Sequence, residues 1–140
     1  MPTGDPFKLA DTRSWMAKSH TDLRSARHAL KAKPPLAEDA VFHSQQAVEK
    51  ALKAFLSWHD KPFRKTHSLE ELGEQCIQIA PFFKELVGEF VHLTEYAWKF
   101  RYPGEPESPT LSESKEAILT AEKVFKVIEK ELSGLMNRHR

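Results

Sequence analysis

Apolar positions along the chain recur every three to four residues, which is the spacing that places them on one face of an amphipathic α-helix. Helix-breaking stretches containing proline interrupt this pattern at residues 34–35, 60–62, 81 and 102–109. No segment shows the strict two-residue alternation of a half-buried β-strand. The pattern therefore predicts an all-α protein, an up-and-down antiparallel bundle of about five helices.

The predicted helices cover about residues 11–31, 36–59, a short segment beginning at 68, 81–101 and 110–135. Asp11 is a favourable N-cap for the first of them. Ser68 with Glu71, and Thr110 with Glu113, have the spacing of a capping box, in which two side chains satisfy backbone N–H groups at a helix start. The second helix has the clearest apolar stripe, and its alanines at 40, 47, 51 and 54 allow another helix to approach closely.

Length and composition favour a single soluble domain. The 140 residues suit one domain with a core of about residues 11–135, and 40% hydrophobic with 29% charged residues is ordinary for a globular protein. No apolar run approaches the roughly 20 residues that span a bilayer, and residues 1–7 lack the features of a signal peptide. Because Cys76 is the lone cysteine, an internal disulfide is impossible, and a cytoplasmic location is expected.

Charge is unevenly distributed along the chain, although the formal net charge is only +1. Residues 1–67 carry a net charge of +5 and residues 68–140 one of −4, which argues against bulk attraction to nucleic acid but indicates a local basic patch. The predicted basic patch consists of Lys50, Lys53, Lys61, Arg64 and Lys65. A solvated helix face is the alternative explanation for the same cluster.

The residue types that most often carry catalysis do not form a recognisable set. The seven histidines lack the HExxH spacing or another spacing typical of zinc ligands, so no metal and no cofactor is expected. Cys76 falls on the apolar face of a predicted helix, where a free cysteine usually packs as a small hydrophobic residue. The five glycines are scattered singly, so no phosphate-binding loop is indicated. Glu49 and Lys53 are most simply explained as an ion pair on a helix surface.

Three short motifs in order along the chain give the strongest indication of function. The first is the Gln46–Ala54 segment of the second helix, which reads QAVEKALKA. The second is Thr-His-Ser-Leu at residues 66–69, and the third is Arg-Tyr-Pro at residues 101–103. With this order and helix spacing the chain resembles the HEPN family, the nucleotide-binding domains of higher eukaryotes and prokaryotes. The resemblance covers residues 15 to about 132.

The resemblance implies an antiparallel helical bundle that forms a homodimer with polar and basic residues in a shared cleft. It also implies association with a small nucleotidyltransferase encoded nearby, as in toxin–antitoxin modules. Some members of the family are metal-independent RNases that use an arginine and a histidine separated by four to six residues. Counted from Arg101, the corresponding positions here are Pro106, Glu107 and Ser108, so this chain departs from the active pattern.

The matched residues suggest roles at a nucleotide-binding site. The guanidinium of Arg101 is permanently charged and its planar donors suit phosphate, while Lys50 and Lys53 can add point charges. His67 lies near a helix N-terminus, where backbone N–H groups favour an anion, and Tyr102 can stack on a base. The alternative is structural: His67 only holds the loop, Tyr102 packs against the bundle, and Arg101 pairs with Glu49 inside it.

Three functions are compatible with these residues. The first is a HEPN-like binding module, a homodimer that binds a nucleotide or RNA phosphate and acts with the nucleotidyltransferase partner. The second is a metal-independent RNase toxin in which Arg101 works with an unconventional catalytic partner such as His67. The third is a non-catalytic dimerisation or scaffold domain. The missing histidine after Arg101 favours the first.

Overall fold

The structure, a computed structural model, describes residues 6–104 and 107–138, and all the regular structure within those ranges is helical. The elements are α1 (Pro6–Lys31), α2 (Ala37–Trp58), α3 (Leu69–Ile79), α4 (Phe83–Phe90), a 3-10 helix (Val91–Ala97) and α5 (Leu111–Arg138). The prediction of an all-α bundle is confirmed. No helix within the described ranges has the length and apolar content needed to cross a bilayer.

The central element is α2, because its apolar residues face several neighbours at once. It packs against α1, α3, α5 and the 3-10 helix. Leu52 and Phe55 are at most 1% exposed, and the four alanines predicted to permit close approach of another helix are all buried. In a smaller apolar cluster, Ala40 packs with Ala26 of α1 and Ile118 of α5. The helix is thus nearly enclosed, and only a narrow side of it remains at the surface.

Two helix ends differ from the prediction. α1 begins at Pro6, so the predicted N-cap role of Asp11 is wrong. Proline suits the first turn of a helix because its missing N–H would have no partner there in any case. Asp11 lies within the helix on its exposed side. α5 continues to Arg138, slightly beyond its predicted end near residue 135.

The predicted fourth helix, residues 81–101, is not continuous. It begins at Phe83 as α4, tightens into the 3-10 helix after Phe90 and ends at Ala97. Phe90, Leu93 and Tyr96 are all buried and are spaced three residues apart. Three residues per turn is the period of a 3-10 helix, so this geometry keeps the three side chains on one face, whereas an α-helix would rotate them progressively away.

Of the two predicted capping boxes, one is complete. At the start of α5 the Thr110 N–H donates to Glu113 Oε1 at 2.8 Å and the Glu113 N–H donates to Thr110 Oγ1 at 3.0 Å. The hydrogen bond from the Thr110 backbone lowers the pKa of Glu113. At α3 only half of the box forms, because Ser68 caps the Glu71 N–H at 3.1 Å while the Glu71 carboxylate binds Arg64 instead.

Cys76 lies in the apolar core of the bundle and is fully buried. Burial raises the pKa of its thiol to about 12, so the thiolate that reacts as a nucleophile is scarce at neutral pH. The thiol therefore packs as a small hydrophobic side chain, in agreement with its position on the apolar face of the predicted helix.

The close approach of α3 and α4 at Gly73 gives a test of this packing. A Cβ added at Gly73 would lie 2.7 Å from Val87 Cγ2, and the branched Val87 side chain has little rotamer freedom to move away. Gly73→Ala is therefore expected to destabilise the protein by about 1–3 kcal/mol. Gly88→Ala is the matched control: nothing lies within 4 Å of its added Cβ, so helix propensity should make it stabilising by about 0.5–1 kcal/mol. Urea unfolding followed by circular dichroism measures both changes, and equal stabilisation by the two would contradict the packing.

Candidate functional site

The exposed side of α2 forms a narrow polar surface. Between residues 40 and 56 every side chain of the helix is buried except those of Phe42, His43, Gln46 and Lys50, which are half-buried. Together with Asp39, one turn earlier, they follow the helical spacing of three and four residues and share one face. We call these five residues the α2 strip. α1 borders it on one side, and the segment before α3 and the end of the 3-10 helix border it on the other.

Asp22 links α1 to the α2 strip. Its carboxylate is 9% exposed; one oxygen lies 2.8 Å from His43 Nδ1 and the other accepts a hydrogen bond from Lys50 Nζ at 2.6 Å. His43 and Lys50 are seven residues apart on α2, so two helical turns bring them to the same side. Sequence reasoning missed Asp22 and His43, because no spacing rule links a residue of one helix to a residue of another.

Glu49 links α2 to the segment before α3. Its side chain is 4% exposed, and its Oε2 accepts a hydrogen bond from Lys53 Nζ at 2.9 Å. Its Oε1 lies 2.9 Å from His67 Nδ1 and accepts from Gln45 Nε2 at 3.2 Å. Gln45 Nε2 also donates to the His67 carbonyl at 3.1 Å, so both the ring and the backbone of His67 are fixed. The His67 side chain nevertheless remains 64% exposed.

Lys53 is enclosed within the bundle. Its side chain is 8% exposed, and its ammonium lies 5.3 Å from the centre of the Trp15 ring and 5.7 Å from that of Phe63. The interpretation of Glu49 and Lys53 as a surface ion pair is therefore wrong, since both partners are buried. Lys53 neutralises Glu49 and is covered by Trp15 and Phe63, so a surface ligand has little access to its ammonium.

Arg101 lies at the N-terminal end of the strip. Its guanidinium carbon lies 4.1 Å above the centre of the Phe42 ring, and its Nη1 is 3.1 Å from Asp39 Oδ1. The alternative pairing of Arg101 with Glu49 is thus wrong. The chain reaches this position through Phe100, whose φ of 69° lies in the left-handed region that side chains rarely adopt. Tyr102 follows with its side chain exposed.

Most of the predicted basic patch is neutralised. Lys50 is paired with Asp22, Lys53 is buried, and Arg64 makes hydrogen bonds of 2.8–2.9 Å to both oxygens of Glu71. Lys65 is exposed and has no ion-pair partner within the part of the chain that the structure describes.

Lys18 adds an exposed cation that the sequence did not single out. On α1 it falls between Trp15, which packs beside Lys53, and Asp22, which binds His43 and Lys50, so the three follow one helical stripe facing the strip. No ion pair joins Lys18 to any residue in the described ranges. Within the described ranges, the cations near the strip that have no ion pair, Lys18 and Lys65, therefore lie on the neighbouring segments and not on α2 itself.

The structure brings some predicted site residues together and keeps others apart. Lys50, Lys53 and His67 gather around one turn of α2, next to Glu49. Arg101 contacts α2 nearer its N-terminus, at Asp39 and Phe42. Within the described ranges, no three histidine, cysteine or acidic side chains are arranged to hold a metal ion.

The chain is a small helical module whose polar surface is built from α2, and the HEPN domain family matches it over residues 12–132. The match covers most of the chain, so the protein belongs to the HEPN domain family, whose membership supports a nucleotide- or RNA-related module. No curated protein and no solved structure matches the chain.

The buried position of Glu49 predicts a large difference between two charge-removing substitutions. Glu49→Gln keeps the side-chain shape but leaves Lys53 buried without its counter-charge, which is expected to cost about 3–5 kcal/mol. Glu89→Gln also removes one ion pair with a lysine, but that pair with Lys123 is about half exposed, so the change is expected to cost less than about 1 kcal/mol. Thermal and urea unfolding of both variants give the comparison. Similar small losses would show that Glu49 is not the central buried charge.

Proposed function

We propose that the protein is a non-catalytic binding module that holds a nucleotide or RNA phosphate on the α2 strip. The observation that carries the proposal is the arrangement of Lys50, His67 and Arg101. Each is fixed by a carboxylate, and each presents polar atoms toward the same exposed side of α2. Groups fixed in advance lose little conformational entropy when a ligand arrives, which favours binding.

The end of the strip near Arg101 suits the aromatic part of such a ligand. The Arg101 guanidinium already stacks on Phe42, and the neighbouring Tyr102 ring is 66% exposed. Exposed aromatic rings beside cationic groups are the usual components of surfaces that stack bases and follow a phosphate backbone. RNA is therefore the preferred ligand, with the backbone along α2 and a base near Tyr102.

Several features support binding over hydrolysis. Arg101 binds α2 through Asp39 and Phe42, and His67 binds it through Gln45 and Glu49. No hydrogen bond joins the two side chains within the described ranges, whereas residues that share acid–base chemistry must both reach the same reacting group within about 3 Å. Ser108, one of the positions where the family's histidine would fall, donates a hydrogen bond to Glu38 at 3.0 Å. Pro106 lies outside the described residues.

The proposal includes two features that rest on family membership alone. One is a homodimer, in which a second copy would extend the strip across a shared cleft. The other is a small nucleotidyltransferase partner encoded nearby, as in a toxin–antitoxin module. Sedimentation equilibrium tests the dimer, and co-purification after co-expression tests the partner. A monomer at all concentrations would remove the first feature, and failure to co-purify would argue against the second.

Arginine substitutions test the binding site. With a fluorescently labelled single-stranded RNA of about 12 nucleotides, Arg101→Ala is expected to weaken binding about tenfold, because one charge-assisted contact is lost. Arg24→Ala is the matched control, since Arg24 is exposed on α1 but does not lie on the stripe facing the strip. Fluorescence anisotropy at fixed salt measures both affinities. Equal effects of the two substitutions would show that only overall charge matters.

The RNase alternative is tested with the same RNA in the presence of a chelator. The binding module is expected to leave the RNA intact, and Arg101→Ala and His67→Ala should make no difference to its length on a denaturing gel. Cleavage by the wild-type protein that both substitutions abolish would instead establish a metal-independent RNase. Intact RNA without any detectable binding would favour the scaffold alternative, in which the strip only stabilises the bundle.

A further inference from the structure

On the α2 strip and among the groups next to it, each of three cationic side chains is paired with a carboxylate. Lys50 is paired with Asp22, Lys53 with Glu49 and Arg101 with Asp39, at distances of 2.6, 2.9 and 3.1 Å. These three pairs leave no excess positive charge on the strip itself. A polyanion that approaches it therefore meets cations whose charge is already balanced, apart from Lys18 and Lys65 at the borders.

Two imidazoles are the groups at this surface that can add positive charge near neutral pH. His43 bonds Asp22 through Nδ1, and His67 bonds Glu49 through Nδ1. In each ring the nitrogen facing the buried carboxylate is engaged, which leaves Nε2 on the far side of the ring. The two side chains are 31% and 64% exposed, so both rings reach solvent.

The two imidazoles flank the middle of the strip from opposite borders. His43 is on the side of α1, where Asp22 lies, and His67 approaches from the segment before α3. Gln46 lies between them on α2, with its side-chain amide donating to Gln45 Oε1 at 2.7 Å. A phosphate group above Gln46 thus has an imidazole on each side and Lys50 one turn further along the helix.

We propose that His43 and His67 are phosphate-binding residues that act as imidazolium ions, so that the protein takes up protons when the ligand binds. This inference rests on the proposed function and adds His43 to its site. The ligand class is a phosphodiester, whose non-bridging oxygens accept hydrogen bonds from the two Nε2–H groups. The negative phosphate stabilises the protonated rings and balances the charge that they add, while the carboxylates of Asp22 and Glu49 accept the hydrogen bonds from Nδ1.

The other charged groups around each ring are carboxylates, lysines and an arginine. His43 binds Asp22, which also binds Lys50; Lys18 is one turn from Asp22 on α1, and Arg101 stacks on the neighbouring Phe42. His67 binds Glu49, which also binds Lys53, and Lys65 lies in the same segment as His67. The ordinary pKa values of these residue types lie outside about pH 5.5 to 8, whereas that of imidazole lies within it. A change in affinity across that range therefore reports on imidazoles. Because protonated rings bind the phosphate, affinity is expected to fall as the pH rises across this range.

The experiment uses the full chain and a uridine oligonucleotide of about 12 nucleotides without terminal phosphates. Neither the phosphodiesters nor the bases of this probe change charge between about pH 5.5 and 8, so any pH dependence belongs to the protein. Affinity is measured by anisotropy at constant ionic strength, because salt alone alters such binding strongly. Titration calorimetry in buffers of different ionisation enthalpy counts the protons taken up.

Asparagine substitutions separate the two roles of each ring, which are the hydrogen bond to the buried carboxylate and the uptake of a proton. His43→Asn and His67→Asn retain a short donor for the buried carboxylate but remove the titrating Nε2. Wild-type affinity is expected to rise by up to about tenfold per pH unit for each proton taken up as the pH falls. Each single substitution should lower the proton uptake, and the double substitution should abolish it. His92→Asn, at an exposed position of the 3-10 helix, should leave it unchanged.

Two results would overturn the inference while leaving the binding function intact. One is RNA binding that is equally strong at both ends of the pH range. The other is proton uptake that persists in the double variant, which would place the titrating groups elsewhere. Absence of binding by the wild-type protein at every pH would overturn the proposed function together with this inference.

Discussion

The structure depends on the burial of one negative charge, the carboxylate of Glu49. A carboxylate that is taken out of water is tolerated only if its oxygens are paired and hydrogen-bonded. Here Lys53, Gln45 and His67 supply those contacts. The requirement fixes the segment that leads into α3, because both the ring and the carbonyl of His67 are bound from α2. The same contacts that satisfy the buried charge therefore also place His67 at the surface.

Arg101 reaches the strip by a different means, through backbone geometry. The three-residue spacing of Phe90, Leu93 and Tyr96 favours a 3-10 helix, which ends earlier than a continuous α-helix would. Phe100 then adopts a left-handed conformation while its ring stacks near Tyr96, with ring centres 6.3 Å apart. Such strain persists only where surrounding contacts determine the conformation. The position of the guanidinium above Phe42 is consequently a result of aromatic packing as well as charge.

Local sequence patterns predicted the bundle and most helix boundaries, because amphipathic spacing and capping residues act over a few neighbouring positions. They also predicted the capping box at Thr110, which involves only four consecutive residues. They did not predict the break after Phe90, which depends on packing against other helices. Nor did they find Asp22, whose partners lie 21 and 28 residues away. The candidate site was predicted in part: its α2 motif was recognised, but whether each lysine is free or buried was not.

The pairing of surface groups with buried carboxylates divides the site into positions with different freedom to vary. Asp22 and Glu49 are buried in the fold and also position the side chains of the proposed site, so substitutions there are expected to be eliminated by selection because they lower the stability of the folded protein, whatever their effect on binding. Gln46 and Tyr102 carry no such double role. Members of the family that share this strip but recognise different ligands are expected to have diverged at these two positions, while the acidic residues beneath them stay fixed.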